Sequence, residues 1–454
     1  MAEPAIRGKY ETPEPNERIE LYEGLLRISW ESQSIECNGA IFFDWVPSPR
    51  IGFEVVVPID AGFKMTDVLP ELQVELADHG GSGRGRVWRR AMSTKADGTT
   101  EWTLSGDMFE DFVVGNPAAT DSVVFHVPNF PDYLGIDVHR IPEVETSPVR
   151  LRAVTKDWAV DLDDVSYSSG LRENLNRRGG YGITHFGRIT RTDGAAVRFD
   201  DLEHMLGVLY WWLTFLRSER TGPMFIVGVH EDETVWEIWR TPIVTQWSTR
   251  MSWLPKYIRD DEGRFGPPHV DAILQYLDSL RKGSRLHETI AWAIDWYTQS
   301  VEGRNLETEV IVAQAGLELL SWFRLVDEVG VEGFDRMSAA DALRIALKFA
   351  SVEPDVPGAA QELFSATRKT NNARELDGPG AITEIRNGAI HPGSGDRLSD
   401  IHVKYQAARL AERYIELLLL HRFGYEGEMY NRIDWSSGPE VVPWAQVEAP
   451  AEDP

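Results

Sequence analysis

The sequence predicts an α+β multidomain chain in which a β-rich N-terminal region is followed by a C-terminal α-helical bundle. Short apolar runs at 39–45, 51–57 and 121–127 are separated by Gly, Pro, Asp and Ser, the punctuation of strands. From residue 286 the apolar spacing changes to 3.6, with Ala291, Ile294, Tyr297 and Val301 on one stripe. The 454 residues, 42% of them apolar, can bury two or three cores.

Residues 1–16 are polar and Pro-rich and read as frayed. Strand-like runs then extend to about Pro148 and resume at 149–154 and 181–190. Inside them, Gly80-Gly-Ser-Gly-Arg-Gly85 lacks the strand-then-helix setting of a phosphate loop and reads as a hairpin or flexible loop. Asp200 and Asp201 can cap an apolar helix reaching Leu216, and strands follow at 224–230 and 234–239. The basic, Gly-containing stretch 281–285 marks a boundary. Beyond it, helices are predicted at 310–329, 339–350, 361–366, about 380–390 and 399–423. The domains are therefore a β-rich region at 17–285, divisible into 17–150 and 151–285, and a helical bundle at 286–425. Residues 436–454, with four prolines and no periodicity, read as a disordered tail.

Cys37 is the only cysteine, which excludes a disulfide framework and a multi-cysteine zinc site. The N-terminus lacks the order of a signal peptide, and no apolar run approaches the roughly 18 residues of a membrane span, so a cytoplasmic location with no membrane partner is expected. The net charge of −26 argues against general nucleic-acid binding, which rests on lysine and arginine. Between Ala360 and Arg413, however, basic and acidic side chains nearly balance, leaving room for a local RNA contact. His185, His204 and His230 are the only hint of a metal site, and nothing in their spacing makes them converge. Trp211, Trp212, Trp236 and Trp239 suit a core better than a ligand platform.

The compact chemical constellation is Arg386-Asn387-Gly-Ala-Ile-His391, followed at once by Pro392. Asn387 and His391 stand four apart on one helical face, with Arg386 beside it. Pro392 disfavours the helical conformation at His391 or ends the helix just after it, which places the imidazole at the negative end of the helix dipole. Cleaving RNA without a metal needs a base for the 2′-hydroxyl, an acid for the leaving 5′-oxygen and a cation for the phosphorus oxygens. Histidine and arginine supply those roles, with no cofactor. The plainer alternative is a surface arginine, an asparagine turning the chain with Gly388, and a helix-end histidine. Glu318, on the earlier long helix, is a candidate to orient Arg386 by a charge-assisted bond, or else an ordinary solvated glutamate.

Arg-Asn-x-x-x-His late in a helical domain resembles the HEPN ribonuclease superfamily. The small-Leu-Glu-Leu pattern in Ala315-Gly-Leu-Glu-Leu-Leu320, and Thr184-His185-x-Gly187 before a helix, are similar to its ApeA-like branch of bacterial anti-phage defence. The resemblance implies a HEPN-like bundle and a metal-independent endoribonuclease with Arg386, Asn387 and His391 as catalytic residues. It implies a homodimer through the helical domain, with two motif helices building composite sites. It also implies an RNA substrate, transfer RNA being one candidate, and a toxin or abortive-infection role released by an unknown trigger at the N-terminal region. The alternative is a non-catalytic HEPN-like dimerisation or sensor scaffold with a ligand-binding β-rich module. Gly388 departs from the commonest motif and costs the helix about 1 kcal/mol relative to alanine.

Overall fold

The computed structural model describes the chain except residues 1–3, 31–32, 59–70, 79, 134–135, 138–148, 257, 260–264, 267–268, 304, 369–374, 392–397 and 446–454. It has the α+β architecture expected, β-rich first and helical second. Two compact units form: one from Met1–Asp132, Ile136–Gly207 and Thr221–Thr249, the other from Tyr133–Gly135, Val208–Arg220 and Arg250–Pro454.

The first unit begins with β1 (Ile19–Trp30), β2 (Gln33–Asp44), β3 (Arg50–Pro58), β4 (Glu71–Leu76), β5 (Gly81–Thr94) and β6 (Thr100–Met108). Their antiparallel order is β4-β1-β2-β3-β6-β5, and β5 pairs back onto β4, so the six strands close on themselves as a barrel. Inward alternation fills it with Leu26, Ile28, Ile41, Phe53, Val55, Val74 and Leu104, each buried. Closure explains the glycine run: of the two readings, hairpin or flexible loop, the hairpin is found, with Gly80 in the turn and the following residues opening β5, antiparallel to β4. A Cβ on inward-facing Gly83 would lie 2.6 Å from the Phe112 ring, and one on Gly85 2.7 Å from Phe53. Glycine there makes room for two aromatic rings.

From β5 the sheet continues through β7 (Phe112–Gly115) into strands β8 (Ser122–Pro128), β9 (Ile136–Asp137), β10 (Val149–Val154), β11 (Trp158–Asp164), β12 (Ile183–Arg191), β13 (Met224–His230) and β14 (Glu233–Trp239), in the order β7-β14-β13-β8-β12-β11-β10-β9. Helix α1 (Ser168–Arg178) precedes β12, and α2 (Phe199–Arg217) precedes β13. The N-terminal segment is not frayed from Pro4 onward. The Ile6 amide donates to Asp163 Oδ2 (2.8 Å), the Tyr10 amide to His126 Nε2 (3.1 Å), and Thr12 Oγ1 accepts from the Ile183 amide (2.7 Å). Ile6, Tyr10 and Thr12 are buried with these partners.

The second unit starts earlier than the expected boundary at 285. It takes in Val208–Arg220, from the second half of α2 onward, and α3 (Asp271–Ser279). Helices α4 (Arg285–Val301), α5 (Leu306–Trp322), α6 (Ala339–Phe349), α7 (Gln361–Arg368), α8 (Gly378–Ile390) and α9 (Ile401–Phe423) follow, with α5 running on into a π-helical turn, Phe323–Glu328. The tail expected to be disordered from Ser436 carries structure to Ala445: Pro439–Val441 pairs with Glu428–Tyr430, and the Trp444 indole donates to the Tyr425 carbonyl (2.7 Å). The rest of that tail lies outside the described residues.

Candidate active site

Helix α8 is started by its own sequence. The side chain of Asp377 accepts from the Gly380 amide (2.9 Å), Pro379 occupies the first turn where its missing N–H costs nothing, and Arg344 of α6 grips the same carboxylate through Nε (2.5 Å) and Nη2 (2.9 Å). Gly378 lets the helix start press against α9, since a Cβ there would lie 2.2 Å from Tyr414 Oη. Ala381, Ile382 and Ile385 form the buried face. That face fixes which residues point outward.

At the other end of α8 lie the motif residues. Arg386 and Asn387 are half-buried, and His391 is exposed. The helix continues through Gly388, and a Cβ there would meet nothing within 4 Å. The His391 amide closes the last turn on the Asn387 carbonyl (2.9 Å), while its own backbone is extended (φ −119°, ψ 96°), so the chain leaves the helix at the imidazole. Pro392 lies outside the described residues. Arg386 Nη1 donates to Asn387 Oδ1 (3.1 Å), and among the described residues Arg386 enters no ion pair. A fixed guanidinium with donors left over can take an anion.

Glu318 is not brought to Arg386. It lies on α5, which packs against α8, and its carboxylate accepts from Gln314 Nε2 (2.8 Å). Arg386 bonds Asn387 instead. The Asp377–Arg344 anchor went unread, although Asp-Gly-Pro is a readable helix-start signal. Exposed apolar side chains also stand at the end of α8, where Ile390 is 37% exposed, and in the first turns of α9, where Ile401 and Tyr405 are 65% and 50% exposed.

The other candidates fall apart. His185 is wholly buried against the Phe130 ring, and His230 is exposed and paired with Asp121 (3.0 Å). Among the described residues no group of three or more His, Cys, Asp or Glu is placed to hold a metal. Trp212, Trp236 and Trp239 are core. Among the described residues no helix is long and apolar enough to cross a membrane.

Fold and site together define a two-unit α+β chain whose helical part presents an Arg-Asn-x-x-x-His helix end. Residues 284–442 of it match the YopA C-terminal domain, and residues 115–250 the YopA central domain. Over 455 residues the chain is 24% identical to the SPbeta prophage-derived uncharacterized protein YopA of Bacillus subtilis (strain 168), covering 97% of this chain and 98% of that relative. No solved structure matches it.

Proposed function

We propose that the chain is a metal-independent endoribonuclease of the HEPN type, cytoplasmic and dimeric, serving as the effector of a bacterial defence or toxin system. The observation that carries this reading is the half-buried Arg386, tied to Asn387 yet free of any carboxylate among the described residues, at the same helix end as an exposed His391. In the proposed reaction one imidazole removes the 2′-hydroxyl proton, the resulting oxygen attacks phosphorus, and a second imidazole protonates the departing 5′-oxygen. Products are a 2′,3′-cyclic phosphate and a 5′-hydroxyl. Arg386 holds the charge on the non-bridging oxygens. Two imidazoles require two copies of α8, and the exposed Ile390, Ile401 and Tyr405 suit a second copy. A prophage-derived relative fits conflict between phage and host, with the sheet unit as the sensor that restrains cleavage.

The test is incubation of the full chain with transfer RNA and total RNA, with and without chelator, followed by analysis of the ends. Cleavage is expected to survive chelation and leave cyclic phosphates. His391→Ala and Arg386→Ala should each lower it by about two to four orders of magnitude. Wild-type cleavage by both variants ends the assignment, and intact RNA beside a stable dimer favours the scaffold reading.

A further inference from the structure

Helices α5 and α9 run side by side in the same direction. Lys404 and Arg409 near the start of α9 bond Glu307 and Glu309 at the start of α5, whereas Arg422 at the end of α9 bonds Glu328 just beyond α5. At these far ends a cleft of about 260 Å³ opens, near the lower limit for small-ligand sites. By helix rise it is some 30 Å along α9 from that helix's first turn. No motif residue lines it.

Its floor is apolar, from Leu320, Ala346, Ala350 and Leu418, and its rim is cationic. Arg324 Nη1 donates to Glu328 Oε2 (2.9 Å). Arg422 donates to both oxygens of the same carboxylate and through Nε to Tyr276 Oη (2.8 Å). Two guanidinium groups thus share one carboxylate, which leaves an excess positive charge. The neighbouring His421 ring feels it: burial, then Arg324 and Arg422, push its pKa down. The Phe349 ring, 44% exposed, stands on the same rim with the Arg324 guanidinium 4.9 Å from its centroid. A further observation points the same way. Arg324 and Glu328 both come from the π-helical turn, a rare conformation frequent at functional sites.

We propose that this cleft binds a small anion carrying a planar ring, its phosphate or carboxylate on Arg324 and Arg422 and its ring against Phe349. The cleft connects to the motif helix through α6. Phe349 ends α6, and Arg344, just over one turn earlier, holds the Asp377 side chain that caps α8. A ligand that moves α6 moves the start of the helix bearing Arg386 and His391, so occupancy sets the activity of that helix. This last step rests on the ribonuclease reading, and the binding itself does not.

Calorimetry and thermal melts on the full chain, with adenosine monophosphate, benzoate and inorganic phosphate as probes, separate the parts. At least one ring-bearing probe is expected to bind below about 1 mM and raise the melting temperature. Arg324→Gln should weaken it tenfold or more, and Phe349→Ala should weaken the ring-bearing probes while leaving phosphate unchanged. Both side chains are partly exposed, so both variants should fold. His391→Ala should bind as wild type, which separates this cleft from the motif whether or not RNA is cut. Absence of binding by all three probes, or equal binding by Arg324→Gln, overturns the site. Binding with no change in RNA cleavage by an active wild type overturns the coupling.

Discussion

Arg432 and Arg386 belong to the same helical unit and are held in opposite ways. Arg432 follows α9 and is buried; its Nε donates to Glu416 (2.5 Å), its Nη2 to Tyr297 Oη (2.7 Å), and its Nη1 lies 3.7 Å from Glu412. Glu412 in turn faces Arg409 at 3.0 Å, and Arg409 bonds Glu309. Three carboxylates thus surround two guanidinium groups inside the chain. Among the described residues Arg386 answers only the neutral amide of Asn387, near the end of α8. Buried charge paired within the chain holds a structure together, whereas a positioned cation with donors unspent is suited to meet something from outside.

Replacing each arginine by methionine is the widest way to pull the two regions apart. Arg432→Met leaves Glu416 buried without its cation and Glu412 with Arg409 alone, and should cost about 3–5 kcal/mol, read by chemical denaturation. Arg386→Met, in no ion pair among the described residues, should leave stability within about 0.5 kcal/mol while removing RNA cleavage. Equal destabilisation by the two would erase the distinction, because Arg386 would then be as structural as Arg432.

Acidification separates the sheet unit from the helical one. His126 accepts the Tyr10 amide at Nε2, so its proton sits on Nδ1 and is donated to the Phe225 carbonyl (2.9 Å). Burial lowers its pKa to about 4, with the nearby Glu237 among the groups opposing, and burial lowers that of His185 as well. Below pH 6.5 the unfolded chain takes up protons that the folded sheet refuses. Stability is therefore complete above about pH 6.5 and is lost as pH falls toward 4, by about 3 kcal/mol from His126 alone. In the helical unit burial raises Glu416 and Glu309, so protonation there relieves a penalty instead. Hydrogen exchange at pH 7 and pH 5 should show protection falling in sheet peptides and holding in α5 and α9. The reverse pattern would show that the buried histidines do not control the sheet's response.

What the sequence disclosed follows the range of the interactions involved. The motif helix, expected from about 380, is found at Gly378–Ile390 because its start and end signals, Asp377, Pro379 and Pro392, are local. The last long helix, expected at 399–423, runs Ile401–Phe423 for the same reason. The order of residues 4–16 was not legible, since Ile6, Tyr10 and Thr12 are held by Asp163, His126 and Ile183, each more than a hundred residues away. Barrel closure was hidden similarly: the β4–β5 pairing turns a glycine-rich string into a strand only when Phe53 and Phe112 arrive to fill it. At the site, Arg386, Asn387 and His391 could be named from spacing. That Arg386 would find Asn387 and not Glu318 depends on how α5 and α8 pack.

The smallest expected effect tests the motif helix itself. Gly388 lies within α8, exposed, with a Cβ position that meets nothing within 4 Å, so no packing or steric reason for glycine is visible there. Gly388→Ala removes conformational freedom from the unfolded chain and should stabilise the protein by about 0.5–1 kcal/mol, a shift readable in denaturant. If the helix end is already rigid, as the Asn387 carbonyl bond to the His391 amide implies, RNA cleavage should stay within about twofold of wild type. A variant that gains this stability yet loses tenfold or more in cleavage would show that His391 must move to act. The open end of α8 would then differ from the Arg432 network in mobility as well as in unspent charge.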